Sequence, residues 1–135
     1  MKPSLQAGLQ HSVKFVVGRD QTIDFMGENA RVYATPMLVR DLEIACRELL
    51  LQHLDAGEDS VGTRVAIDHI GATLMGMEVT LTVRFASVEG RAVMFEVEGH
   101  DSVEPIVRGQ HARFVVDVAK TAQRLAAKAQ KAGLK

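Results

Sequence analysis

The sequence predicts an α+β domain in which an antiparallel sheet wraps around one central apolar helix. A second helix lies on the surface at the C-terminal end. Three observations predict this. The segment Ala34–Leu54 carries apolar residues around most of a helical axis. Later segments alternate apolar and polar residues with period two, as strands with one buried face do. The turns between them are short, which makes neighbouring strands antiparallel.

Residues 1–10 read as a loose arm. His11–Val17 places Val13, Phe15 and Val17 on one face, as a strand does. Gly18–Gln21 is a turn. Thr22–Ala34 is mixed in character, with Gly27, Glu28 and Asn29 between apolar ends, and reads as a connection into the helix. Thr35 before Pro36 is a helix start signal: the hydroxyl suits an N-cap, and proline has no N–H to satisfy at the first position. Leu38, Leu42, Ala45 and Leu49 then recur at helical spacing, widened by Ile44, Cys46, Leu50, Leu51 and Leu54.

Asp55–Ser60 turns the chain. Val61–Thr73 reads as a strand with Val65, Ile67 and His69 on one face. Met77–Val88 turns Val79, Leu81, Val83 and Phe85 inward. Glu89 and Gly90 form a hairpin turn, and Arg91–His100 turns Val93, Phe95 and Val97 inward. Ile106–Asp117 is a long last strand. From Val118 to the end, Val118, Ala122, Leu125, Ala126 and Ala129 keep helical spacing, with Lys120, Arg124, Lys128 and Lys131 on the wet side.

Composition narrows the function. The 135 residues suit a single domain, and 47% are apolar, which argues against disorder. Sixteen basic residues against seventeen acidic give a net charge of −1, so no basic field invites nucleic acid. Cys46 is the single cysteine, which leaves no internal disulfide and no thiolate metal cluster. No apolar signal region opens the chain and no run approaches a membrane span, so a soluble cytoplasmic protein is expected. No G-x-S-x-G, P-loop, G-x-G-x-x-G or H-E-x-x-H motif is present, and no cofactor is implied.

Within that frame a few residues stand out. Glu43 sits in the middle of the apolar helix, where a carboxylate needs partners or a task. Arg40 and Arg47 are three before and four after it, at ion-pairing distance on a helix, and for a charged helix residue such pairing is the commoner explanation. His69 sits on the apolar face of its strand, as a core histidine bonded to a carbonyl or as a general acid/base facing the helix. His11, His53, His100 and His111 lack that setting, His111 because it has the opposite parity to Phe114. Thr35 is a plain N-cap, or a hydroxyl placed where helix N–H groups favour a carbonyl oxygen gaining charge. Gly62 is a strand-edge glycine, or a point where a ligand nears the backbone. Cys46 belongs to the core.

Four stretches, ATPMLVRDLEIAC (34–46), AGEDSVGTRVAIDHIGAT (56–73), SVEGRAVMFEVEGHD (87–101) and GQHARFV (109–115), together resemble the hot-dog-fold acyl-CoA thioesterases, most closely the fluoroacetyl-CoA thioesterase group. The resemblance runs from about His11 to Asp117. It implies the hot-dog fold, thioester hydrolysis, an acyl-CoA substrate and a homodimer with its active site at the subunit interface. The group's catalytic Thr, Glu and His match Thr35, Glu43 and His69. Gly62 and Arg113 match ligand surroundings, and Tyr33 and Met37 join them as substrate-binding positions that set pocket depth. The Gly18–Ala34 segment is shorter than the group's lid and has Asn29 and Ala30 where an aromatic gate would stand. Thioester hydrolysis is therefore implied, and fluoroacetyl specificity is not. A non-catalytic acyl-CoA-binding domain and a hot-dog hydratase or dehydratase are the alternatives. Eight residues of regular helix rise about 12 Å, so either the chain around Thr35–Met37 is not yet helical and folds back, or the site is completed across a dimer interface, which is the favoured reading.

Overall fold

The computed structural model describes residues 1–134. The strands are β1 (Gln10–Val16), β2 (Thr22–Ile23), β3 (Val32–Tyr33), β4 (Glu58–His69), β5 (Glu78–Glu89), β6 (Ala92–Asp101) and β7 (Pro105–Asp117); the helices are α1 (Thr35–Leu51) and α2 (Val118–Lys131). Five strands form one antiparallel sheet in the order β1-β5-β6-β7-β4. Helix α1 packs on one face of it, and the core lies between them. Leu38, Leu42, Ala45, Cys46, Leu49 and Leu50 of the helix meet Val79, Leu81, Val83 and Phe85 of β5 and Val93, Phe95 and Val97 of β6. These are the inward residues the period-two pattern predicts. This sheet around a helix is the hot-dog fold.

Several elements differ from the sequence reading. The first residues are not a loose arm: Leu5 is buried, Met1 packs against the core, and the amino group of Met1 pairs with Asp55 at 2.6 Å and with Glu58. Residues 22–34 carry the two-residue strands β2 and β3, which pair with each other. Strand β4 begins at Glu58 and stops at His69, short of Thr73. The chain leaves the sheet at Gly71, where a Cβ would stand 2.8 Å from the Pro105 carbonyl oxygen. Helix α1 is neither apolar nor buried on all sides of this chain: Arg40, Arg47 and Glu48 are exposed, and so is Ile44. Helix α2 buries none of its residues and is capped by the Asp117 carboxylate, which accepts from the Lys120 N–H at 2.9 Å. The C-terminal segment was expected to be helical through 135; the helix ends at Lys131, and Lys135 lies outside the described residues. Among those residues no helix is long and apolar enough to cross a membrane.

Two irregularities position the site. Strand β4 bulges at Thr63, where the register against β7 shifts between Gly62 and Arg64. Gly62 and His69 are seven apart, an odd number, so a regular strand would point them to opposite faces. The extra residue of the bulge turns both toward α1. Further along, Gly109 of β7 lies opposite Ile67 of β4, where the two backbones approach too closely for a side chain. A Cβ at 109 would overlap the Ala66 carbonyl oxygen and stand 2.7 Å from the Ile67 Cα. Gly109→Ala is therefore expected to lower stability by about 1–3 kcal/mol, the usual cost of overpacking. Urea unfolding followed by circular dichroism measures it, and an unchanged midpoint would refute the close approach.

Candidate active site

The start of α1 carries the first group. Ala34, in extended conformation, is the N-cap and offers no side-chain bond; Pro36 fills the first turn. Thr35 is thus not the cap that its place before proline suggests. Its hydroxyl points to β4, where Oγ1 lies 2.7 Å from His69 Nδ1. The edge of the Tyr33 ring meets the His69 ring at a centroid separation of 6.4 Å. Tyr33 itself is buried, and its hydroxyl donates to Asp41. Met37 packs against the core nearby. Burial holds the His69 imidazole below its ordinary pKa, against a smaller opposing contribution from the Gly71 backbone. The ring is therefore neutral near pH 7. Its Nε2 is buried and makes no hydrogen bond of good geometry; a buried polar atom in that state calls for an explanation, and proton transfer is one.

The middle of α1 carries the second group. The helix-surface pairing considered for Glu43 does not form. Arg40 stands 3.8 Å from Asp41, and Arg47 makes a two-point bond to Asp59 at 3.0 and 2.7 Å. Glu43 pairs instead with Arg113 of β7, whose Nη1 lies 3.2 Å from Oε1. Arg113 is buried, and its other donors are met by Ser60: Nε donates to Oγ at 2.7 Å and Nη2 to the carbonyl at 2.9 Å. Gly62 lies under the same carboxylate. A Cβ there would overlap Glu43 Oε1 and stand 3.2 Å from His111 Cε1. The glycine leaves the room that lets Glu43 reach Arg113.

His111 belongs to this group, and its dismissal on parity was wrong. Phe114 is an outward residue, 42% exposed; the inward ones on β7 are His111, Arg113 and Val115. Sharing the parity of Arg113 was the signal that could have found it. His111 Nδ1 donates to the Arg64 carbonyl at 2.8 Å, so Nε2 is free to accept from Arg113 Nη1 at 3.2 Å. The ring stacks on Phe95 at 6.1 Å. Burial, first among the causes, pushes its pKa down and keeps it neutral.

One chain thus joins Thr35 to His69, and Glu43 to Arg113 and Gly62, but does not bring the two groups together. They sit about 12 Å apart along the helix and about 23 Å apart along β4. Cys46, between helix and sheet, is no nucleophile, because burial pushes its thiol up to about 12. Among the described residues no three His, Cys, Asp or Glu side chains gather as a metal ion would require.

The chain is similar to known proteins in sequence and in fold. The family model for the fluoroacetyl-CoA-specific thioesterase matches residues 17–119. The fluoroacetyl-CoA thioesterase of Streptantibioticus cattleyicolor is 34% identical over 127 residues, covering 89% of this chain and 91% of that one. A solved structure of a fluoroacetyl-CoA thioesterase superposes with a TM-score of 0.84 at 31% identity, over 92% of this chain and 97% of the other. A hot-dog-like protein from Thermanaerovibrio acidaminovorans superposes with a TM-score of 0.82 at 22% identity, over 90% and 91% of the two chains, and shares the fold. The chain therefore belongs to the fluoroacetyl-CoA-specific thioesterase family, built on the hot-dog fold.

Proposed function

We propose that the protein hydrolyses a CoA thioester in a site made by two copies of the chain, with Glu43 from one subunit and Thr35 and His69 from the other. The observation that carries this reading is the division of the catalytic set between the two ends of β4. That strand is 12 residues long and pairs only with β7, so its other edge offers a row of free N–H and C=O groups. Val61 and Val65 on this edge and Ile44 on the helix are 44%, 45% and 40% exposed, apolar surface that a second copy would cover. Antiparallel pairing of β4 with its counterpart about an axis at Ala66 keeps the faces matched and, with the bulge residue Thr63 left out of the count, sets Gly62 opposite His69 of the partner subunit. The Glu43–Arg113 group of each chain then faces the Thr35–His69 group of the other.

In this site the Glu43 carboxylate takes a proton from water as the water oxygen adds to the thioester carbon. Backbone N–H groups at the start of α1 or at Gly62 bind the oxygen that gains charge. The C–S bond breaks as the adduct collapses, and the proton that Glu43 took from the water passes through His69 to the departing thiolate, so both side chains end in the protonation states they began with. Thr35 positions the substrate and fixes His69 through Nδ1. The products are a free acid and a thiol, and no other reactant is needed. Arg113, Tyr33 and Met37 line or brace the space around the acyl group. Fluoroacetyl-CoA, the substrate named for the relative, is one candidate among short acyl-CoAs, because Asn29 and Ala30 leave the β2–β3 segment without an aromatic side chain at that point.

Thiol release across a panel of acyl-CoAs, fluoroacetyl-CoA included, tests the reaction. Glu43→Gln and His69→Ala are each expected to lower kcat by about 100-fold or more without changing the melting temperature by more than a few degrees. Wild-type turnover in either variant refutes its assigned role.

A mixture of the two dead variants tests the shared site. If the site spans subunits, half of the randomly mixed dimers are hybrids, each with one intact site, so about a quarter of parental activity returns. If each chain makes its own site, none returns.

Gly62→Ala is expected to push Glu43 off Arg113. It should cost about tenfold or more in kcat/KM, with the fold retained. Parental kinetics in Gly62→Ala would show that the carboxylate does not work from this position.

A further inference from the structure

We infer that His111 is the positioning residue that aims Arg113, and through it Glu43. The inference deepens the thioesterase reading above and rests on it for its kinetic part. Arg113 Nη1 has two acceptors, Glu43 Oε1 at 3.2 Å and His111 Nε2 at 3.2 Å. Ser60 holds the opposite side of the guanidinium through Nε and Nη2. A planar guanidinium so held presents Nη1 to the helix in one orientation. His111 acts at this point only as a neutral ring, because a protonated one would turn an N–H toward Nη1. Burial beside Phe95 and the Arg113 cation next to Nε2 keep it neutral, and the hydrogen bond that Nδ1–H donates to the Arg64 carbonyl fixes the tautomer.

The Arg64 carbonyl lies just past the β4 bulge, one residue beyond the unpaired Thr63. His111 therefore ties the bulge that turns Gly62 toward the helix to the arginine that receives Glu43. The other groups facing it are Glu43 on α1, Gly62 and Ser60 on β4, and Arg113 on its own strand. None of the other histidines makes a comparable pair of bonds to backbone and to Arg113.

Two substitutions separate the ring's two functions. Asparagine places an amide where Nδ1 was and keeps the bond to the Arg64 carbonyl. Glutamine places an oxygen where Nε2 was and keeps the acceptor for Arg113. Parent, His111→Asn and His111→Gln are compared by thiol release, by melting temperature and by 15N-resolved NMR of the Arg113 guanidinium. His111→Asn is expected to lose roughly tenfold or more in kcat, with KM changed less, and to show faster rotation of the Arg113 Nη1 group. His111→Gln is expected to rescue most of kcat and to keep that rotation slow. Equal loss of kcat in both variants at equal loss of stability would reduce His111 to a packing role and overturn the inference. So would parental kcat in His111→Asn. Should His111→Asn not fold, His111→Gln decides alone: retained kcat supports the inference and lost kcat overturns it. If the parent releases no thiol, the thioesterase reading fails by itself, and the guanidinium spectra still decide whether His111 aims Arg113.

Discussion

The site depends on one buried cation. Arg113 points into the layer between helix and sheet, where an unpaired charge would be untenable and removal of a partner costs roughly 3–5 kcal/mol. Its partners come from different parts of the chain: Ser60 from β4, Glu43 from α1 and His111 from β7 itself. Satisfying the arginine therefore fixes the helix against the sheet in a single register. Glu43 is the member of the set whose side chain remains substantially exposed, at 43%, against 5% for Arg113. The arginine is spent on structure, and the open half of the carboxylate remains for chemistry.

Strand β4 translates that constraint into a site with two ends. The bulge at Thr63 lets Gly62 and His69 face the helix from one strand although their spacing is odd. Helix and strand run past one another, so Thr35 meets His69 at one end and Glu43 meets Gly62 at the other. A chain built this way carries both halves of a reaction centre and keeps them apart. The free edge of β4 lies along the line that joins them. In the proposed dimer, pairing two such edges antiparallel would satisfy the backbone and close both sites in one step, which would give the long free edge of β4 a physical reason.

Much of the fold was legible because it follows short periods. Val79, Leu81, Val83 and Phe85, then Val93, Phe95 and Val97, alternate without interruption, and the structure buries each of them. Thr35-Pro36 marked the start of the helix, with the cap displaced by one residue to Ala34. The site was less legible because its pairings are long-range. Glu43 has arginines at helical spacing on both sides, and nothing local says that they turn to Asp41 and Asp59 while Arg113, seventy residues away, takes the carboxylate. On β7 the large apolar Phe114 suggested the wrong inward face, and the buried charge of Arg113 and the imidazole of His111 hid the right one. A bulge breaks the period on which such readings rest, so the inward turn of both Gly62 and His69 could not come from spacing alone. The early arm looked loose because its contacts, Leu5 in the core and the Met1 amino group on Asp55 and Glu58, also depend on distant residues.

Two neutral histidines, one at each end, then divide the work by what their free nitrogens meet. Burial depresses both pKa values. His111 has both nitrogens satisfied, by a carbonyl on one side and a guanidinium on the other, so its ring can neither take nor give a proton without breaking a buried bond. His69 has one nitrogen on the Thr35 hydroxyl and the other without a well-formed hydrogen bond. A proton carrier needs an open position, and a brace needs none. The same residue type on neighbouring strands, His111 buried and His69 half-buried, would thus take opposite tasks in the proposed site according to what its nitrogens meet.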